Sequence, residues 1–169
     1  MNFDQFDKDD AGPTPSSAHH AKAFPLCGQY LKTWLSPAAL AKTKTFDSSG
    51  ARTSASRWET FVKYCGSEKA ATLACTWSLG PLVQINSKMV GHANGRYKGG
   101  DAVFIHGKVA NAYEQGDGWL VWEATVLHEL IHWARYQNRL KEPHEMGAAF
   151  EEATYGVNVN LQTEWRPGP

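Results

Sequence analysis

Between Asp117 and Arg139 the chain reads DGWLVWEATVLHELIHWARYQNR, with no glycine or proline after Gly118. A stretch of this length, rich in good helix formers, predicts a long α-helix, and the rest of the fold must pack around it. Asp117 is placed to cap its start. Leu120, Ala124, Leu127, Ile131 and Ala134 recur at steps of four and three, so they share one face that the spacing turns towards the core. About 100° round from that stripe, His128 and His132 lie one turn apart on a common line.

Residues 128–132 read His-Glu-Leu-Ile-His, an HExxH pattern. Two imidazoles at i and i+4 project in parallel and can meet one Zn²⁺ at about 2.0 to 2.1 Å, leaving positions for a third ligand and a water. Glu129 lies a further 100° round. It cannot ligate in the same geometry, but it can reach the water as a general base. Either histidine alone would read as a hydrogen-bonded residue at the edge of the core; the pair on a strong helix reads as a metal site.

The third ligand is expected downstream, on an element packed against the first. A histidine six residues after His132 would mark one zinc-peptidase class, but Asn138 stands there and Arg135 occupies the glycine position of that pattern. After a turn at Pro143, HEMGAAFEEATYG (144–156) predicts a second helix, with Glu151 and Glu152 lying 19 and 20 residues beyond His132. Glu151 is preferred as ligand, because Gly147 one turn earlier leaves room for the metal helix to approach and Tyr155 follows one turn later. Glu152, Glu145 and His144 stay open. Tyr155 could donate its hydroxyl to a developing oxyanion, or simply pack.

The remaining sequence frames this pair of helices. At 169 residues the chain predicts a single domain. Its 17 basic and 17 acidic residues balance, so the positive footprint of a nucleic-acid or anionic-membrane binder is missing. No run of about 18 apolar residues offers a membrane span, and the opening MNFDQFDKDD is acidic where a signal peptide would be basic and then apolar. Residues 1–24 read as a polar tail or linker that includes His19 and His20, and 25–169 as the folded domain. CGQYLKTWLSPAALA predicts short helical pieces broken at Pro37, 43–56 a Ser/Thr/Gly-rich loop, and RWETFVKYC a helix stopped at Gly66. Strands are expected at Leu82–Ile85 and Ala102–His106, with a tight hairpin turn at Asn94-Gly95 between them and helical turns before Gly116. Cys27, Cys65 and Cys75 are too few for a disulfide scaffold; one bridge, Cys65 with Cys75, is conceivable, and three small buried hydrophobes is the plainer reading.

TVLHELIHWARYQN followed by EMGAAFEEATYG resembles the small zincin metallopeptidase domains that serve as toxin modules in bacterial polymorphic toxins and type VI secretion effectors, including the C-terminal domain of some VgrG spike proteins. The resemblance spans about residues 100–157. It implies an α+β zincin-like single domain, a small sheet beside the HExxH helix and a second ligand-bearing helix. It further implies a zinc-dependent peptidase that cuts peptide or protein substrates, with His128, His132 and Glu151 on one Zn²⁺ and Glu129 catalytic. Delivery into rival bacteria by a dedicated secretion system, action in their periplasm and a cognate immunity protein would follow. Two departures stand out. Thermolysin-like gluzincins carry Asp four residues after the ligand Glu, where this chain has Tyr155, and Glu152-Ala-Thr-Tyr155-Gly156 is similar to the Asp-x-x-Tyr-Gly of aspzincins. The strand AVFIH stands where a zincin places the edge strand that pairs with substrate, with His106 at its end. An amidase or endopeptidase of cell-wall peptides, and a non-catalytic module that zinc only stabilises, are the alternatives.

Overall fold

The computed structural model describes residues 2–5, 23–87, 89 and 93–161. Asn2–Gln5 form β1, and the first helical region runs as α1 (Pro25–Gln29), a π turn (Tyr30–Trp34) and α2 (Pro37–Lys42). A hairpin of β2 (Lys44–Phe46) and β3 (Arg52–Ser56) leads into α3 (Arg57–Cys65) and α4 (Glu68–Ala74). Then come β4 (Leu82–Asn86), β5 (Gly95–Tyr97), β6 (Ala102–His106), α5 (Gly107–Glu114), α6 (Trp119–Gln137), α7 (Met146–Tyr155) and a 3₁₀ turn at Val159–Leu161.

Local chemistry accounts for several boundaries. Ser56 and Glu59 form a reciprocal capping box at the start of α3, and Gly66, at φ +84°, ends that helix where the sequence predicts. Ser36 caps α2, with Pro37 in its first turn. The stretch expected as loop 43–56 is instead the β2–β3 hairpin: Asp47 Oδ1 accepts from the backbone N–H groups of Ser49 and Ala51, so one side chain organises the turn that lets the flanking strands pair. At α6 the cap is Gly118, in a left-handed conformation, while Asp117 accepts from the N–H of Gly118 without capping the helix.

The main sheet has the order β1-β4-β6-β5, with β1, β4 and β6 parallel and β5 antiparallel to β6. Three expectations change here. Asn2–Gln5, assigned by sequence to the tail, pairs with Leu82–Ile85 as β1; the rest of that tail up to residue 22, with His19 and His20, lies outside the described residues. β6 (AVFIH) lies inside the sheet, and the edge strand beside it is β5. Asn94-Gly95 is not the turn: Gly95 belongs to β5, and the turn falls at Lys98–Asp101, where Gly99 and Gly100 take positive φ.

α6 is the central element and packs on β5, β6, α3, α4, α5 and α7. Most of the core stripe predicted from the sequence is there, with Ala124, Leu127, Ile131 and Ala134 fully buried and Leu120 only partly so, but Val121, Trp122, Val126, Leu130 and Trp133 are buried as well. A helix covered on all sides but one narrow line is a core element rather than a surface one. Phe61 and Phe150 meet edge-to-face and join α3 to α7 beneath it. Each fully buried Leu, Ile or Phe of this kind contributes about 1.5 to 3 kcal/mol. Cys27, Cys65 and Cys75 are free thiols in this core. No described helix is long and apolar enough to cross a membrane.

Candidate metal centre

From Val121 to Arg135 every residue of α6 is buried except His128 and His132. The uncovered line of the helix forms the floor of a cleft of about 750 Å³. Its walls are β5, the loop between α6 and α7 with Leu140, Glu142 and Glu145, and the closing segment with Asn158, Asn160 and Leu161. The two imidazole centroids are 4.9 Å apart.

A carboxylate holds each histidine from behind. His128 Nδ1 donates to Glu151 Oε1 at 2.5 Å, and His132 Nδ1 donates to Glu142 Oε2 at 2.8 Å. Protons fixed on Nδ1 leave Nε2 as the ligating atom of each ring. Both Nε2 atoms face one further carboxylate: Glu145 Oε1 is 3.3 Å from that of His128 and 2.7 Å from that of His132. His128, His132 and Glu145 each bring a ligand atom within 4.8 Å of the others, and among the described residues they form the one such group able to hold a metal ion. Two imidazoles and a carboxylate are a donor set suited to zinc, and three protein ligands beside an open cleft leave a position for substrate or water.

The electrostatics of the bare side chains fit that use. Burial would lower the pKa of His128, but the hydrogen bonds to Glu145 and Glu151 outweigh it and raise the group to about 10. His132 is also raised, by Glu145 and Glu142 against its own burial. Glu145 moves the other way: burial alone would raise it, but its bonds to the two histidines hold it well below the usual carboxylate range. Glu145 faces both Nε2 atoms while Glu151 and Glu142 hold the Nδ1 sides, and a dication is the natural replacement for the protons held at Nε2.

Glu129 is 4% exposed and lines the cleft beside the histidines. Burial pushes its pKa up against the pull of His128 and His132, to about 7. Gly95 permits this arrangement: a Cβ there would lie 2.7 Å from Glu129 Oε1, so only glycine lets β5 run this close to α6.

The carboxylate that converges with the two Nε2 atoms is Glu145, not the Glu151 that the sequence prefers. Glu151 is completely buried and sits at the Nδ1 edge of His128, where it orients the ring and does not converge with the Nε2 atoms. The cause is how closely α7 approaches α6. As expected, Gly147 makes room, and a Cβ at that position would overlap the His128 ring. At that separation a residue one turn into α7 meets the near edge of the imidazole, whereas the N-cap reaches past it. Glu145 is that N-cap, accepting from the backbone N–H groups of Gly147 and Ala148. Glu152 and His144 are exposed and outside the cluster.

Tyr155 is also corrected. Its hydroxyl donates to Glu123 Oε1 at 3.1 Å, under the Arg57 guanidinium, away from the cleft and with no oxyanion to serve. His106 is half-buried and caps α5 by accepting from the Lys108 N–H, and it does not line the cleft. The sequence does not single out Glu142 and Asn160, and it marks Gly95 only as a turn residue. The signal for Glu145 was present, since an acid directly before MGAAF is a natural N-cap; Glu142 and Asn160 act from a loop and a short turn whose paths no periodicity announces.

No curated protein and no solved structure matches the chain. A family model, metallopeptidase toxin 3, matches residues 20–156, a span that contains both histidines, Glu129, Glu142, Glu145 and Glu151. With most of its length matched and a histidine–carboxylate cluster at the cleft floor, the chain belongs to the metallopeptidase toxin 3 family, in an α+β fold of the kind its sequence resembles.

Proposed function

We infer that this protein is a zinc-dependent peptidase, with His128, His132 and Glu145 as the metal ligands and Glu129 as the general base. One observation carries the reading: two Nε2 atoms and a carboxylate converge at an open cleft, and each imidazole is fixed from behind by a second carboxylate. Zinc bound there would supply Lewis acidity, polarising a substrate carbonyl and making water a nucleophile at neutral pH.

The chain's own groups do the rest. Glu129, with a proton affinity near neutrality, takes the proton of the attacking water and returns it to the leaving amine. β5 presents main-chain groups along the cleft, to which an extended peptide can add as a further strand. Tyr97 and Tyr136, packed edge-to-face at 5.8 Å, wall the cleft with Leu140 and Leu161 and offer apolar surface to a substrate side chain. As part of the same proposal, the enzyme is an antibacterial effector exported by a machine of the type VI kind. It acts in the target periplasm and is neutralised in the producer by an immunity protein.

Metal content of protein purified without added metal tests the centre. Wild type is expected to hold about one zinc per chain, His132→Ala and Glu145→Ala to lose it, and Glu152→Ala to keep it. A wild type that cannot be loaded with zinc would end the reading. Full zinc in Glu145→Ala together with none in Glu151→Ala would return the third-ligand role to Glu151.

A further inference from the structure

Behind the metal cluster the chain returns once more. The 3₁₀ turn Val159–Leu161 follows α7 and places Asn160 where three elements meet. The Asn160 backbone N–H donates to Glu151 Oε2 at 2.8 Å and its Nδ2 donates to Glu151 Oε1 at 2.5 Å. Its Oδ1 accepts from Asn94 Nδ2 at 2.7 Å and from Thr125 Oγ1 at 2.9 Å. Asn94 immediately precedes the cleft strand β5, and Thr125 lies on α6 one turn before Glu129. All three of these partners are buried.

We propose that Asn160 is a positioning residue of the metal centre, which clamps Glu151 through both carboxylate oxygens and thereby fixes His128 with its proton on Nδ1 and Nε2 towards the cation. The inference rests on the zinc-peptidase reading above and adds to it a residue outside the 20–156 span matched by the family model. The geometry carries it. Glu151 is fully buried, and its described hydrogen-bond partners are His128 and two donors from one residue. A buried carboxylate held by a single side-chain bond could rotate about its terminal torsion, which is broad, and take the imidazole with it. With both oxygens held it cannot. Nδ2 and the backbone N–H are both donors from one residue, so the two oxygens of Glu151 are held as acceptors in a single orientation, with Oε1 turned towards His128 Nδ1. The same side chain ties β5 and α6 to this carboxylate through its oxygen, so the strand beside Glu129 and the ring that ligates metal share one anchor.

The test uses the whole chain and zinc alone, titrated against a chromophoric chelator, for wild type, Asn160→Ala, Asn160→Asp and Leu40→Ala. Leu40 is a buried residue of α2 remote from the cleft, so its truncation destabilises the fold without touching the centre. Asn160→Ala is expected to raise the zinc dissociation constant about 10- to 100-fold, the range typical when a residue that orients a ligand is lost. Asn160→Asp, which sets a carboxylate against Glu151, should raise it at least as far, while Leu40→Ala leaves it within about twofold of wild type. Nitrogen-15 spectra of the zinc-loaded protein provide a second readout: a protected Nδ1–H of His128 is expected in wild type and in Leu40→Ala, and should be lost or exchange rapidly in Asn160→Ala. If Asn160→Ala matches wild type in both affinity and spectrum, or if Leu40→Ala weakens zinc as much, Asn160 is not a positioning residue. Should Asn160→Ala fold too poorly to measure, Asn160→Asp and the spectrum decide by the same criteria. A wild type that takes up no zinc overturns the zinc-peptidase reading itself, a failure distinct from that of this residue.

Discussion

α6 carries two buried glutamates six positions apart, and their surroundings could hardly differ more. Glu123 accepts from the Tyr30 and Tyr155 hydroxyls and pairs with the Arg57 guanidinium. Glu129 lines a cleft beside two histidines of its own helix, and burial lifts its pKa to about 7. The first carboxylate is saturated with donors and can do nothing further; the second is desolvated without being neutralised, the state a general base near neutrality requires. Both residues border cavities, about 640 Å³ at Glu123 and about 750 Å³ at Glu129, so cavity size does not separate them. The partners do. Arginine and tyrosine supply fixed protons, whereas histidine rings held at Nδ1 offer lone pairs to a metal.

The sharpest break of this comparison is one pair of substitutions. Glu129→Gln is expected to lower peptide turnover by about 10²- to 10⁴-fold, the usual contribution of a general base, while zinc content and thermal unfolding stay near wild type. Glu123→Gln is expected to do the reverse. It should cost about 3 to 5 kcal/mol of stability in denaturant titration, by leaving Arg57 without its charge partner, and spare turnover per folded molecule. If both variants lose activity in proportion to stability, the two carboxylates are not functionally distinct.

pH offers a milder test. In metal-free protein the folded state holds protons on His128 (about 10, against 6.5) and on Glu129 (about 7, against 4.5) that the unfolded chain has already released. The His128 contribution is fully present below 6.5 and fades as pH rises through 10, and the raised Glu129 adds a loss of the same sign between 4.5 and 7. Glu145, whose pKa is lowered, contributes above its usual range and weakens only on acidification. The melting temperature of chelator-treated protein should therefore fall across the upper window. Zinc must displace those protons, so the stabilisation it adds should grow over the same window, and parallel curves with and without zinc would count against a histidine-held metal. The smallest effect belongs to Tyr155→Phe: removing one donor to Glu123 should cost about 1 kcal/mol and leave kcat and KM unchanged. A large loss of kcat there would restore the oxyanion role that the fold takes away.

Much of the scaffold was legible because its signals are local. The helix around HELIH, the stop at Gly66, the strands at 82–86 and 102–106 and the second helix at 146–155 follow from spacing and punctuation that act within a few residues. The loop expected at 43–56 hid a hairpin because its Ser- and Thr-rich composition does not distinguish a loop from a short, half-exposed strand pair. The turn expected at Asn94-Gly95 was a glycine serving a different need, the close approach of β5 to Glu129.

In the same way, the sequence by itself determined that two imidazoles project in parallel from one helix with a glutamate beside them, since 3.6 residues per turn leaves no other arrangement. It could not decide which of several downstream acids completes the set. That depends on how near α7 comes to α6, a distance set by Gly147 against the His128 ring and by the path of the loop from Asn138 to Glu145. Tertiary packing alone assigned Glu145 to the Nε2 side, Glu151 and Glu142 to the Nδ1 sides, Tyr155 to the far face of α6 and Asn160 to the clamp. Ligand geometry is a matter of ångströms between elements, and periodicity along a chain fixes directions within an element but not the separations between them.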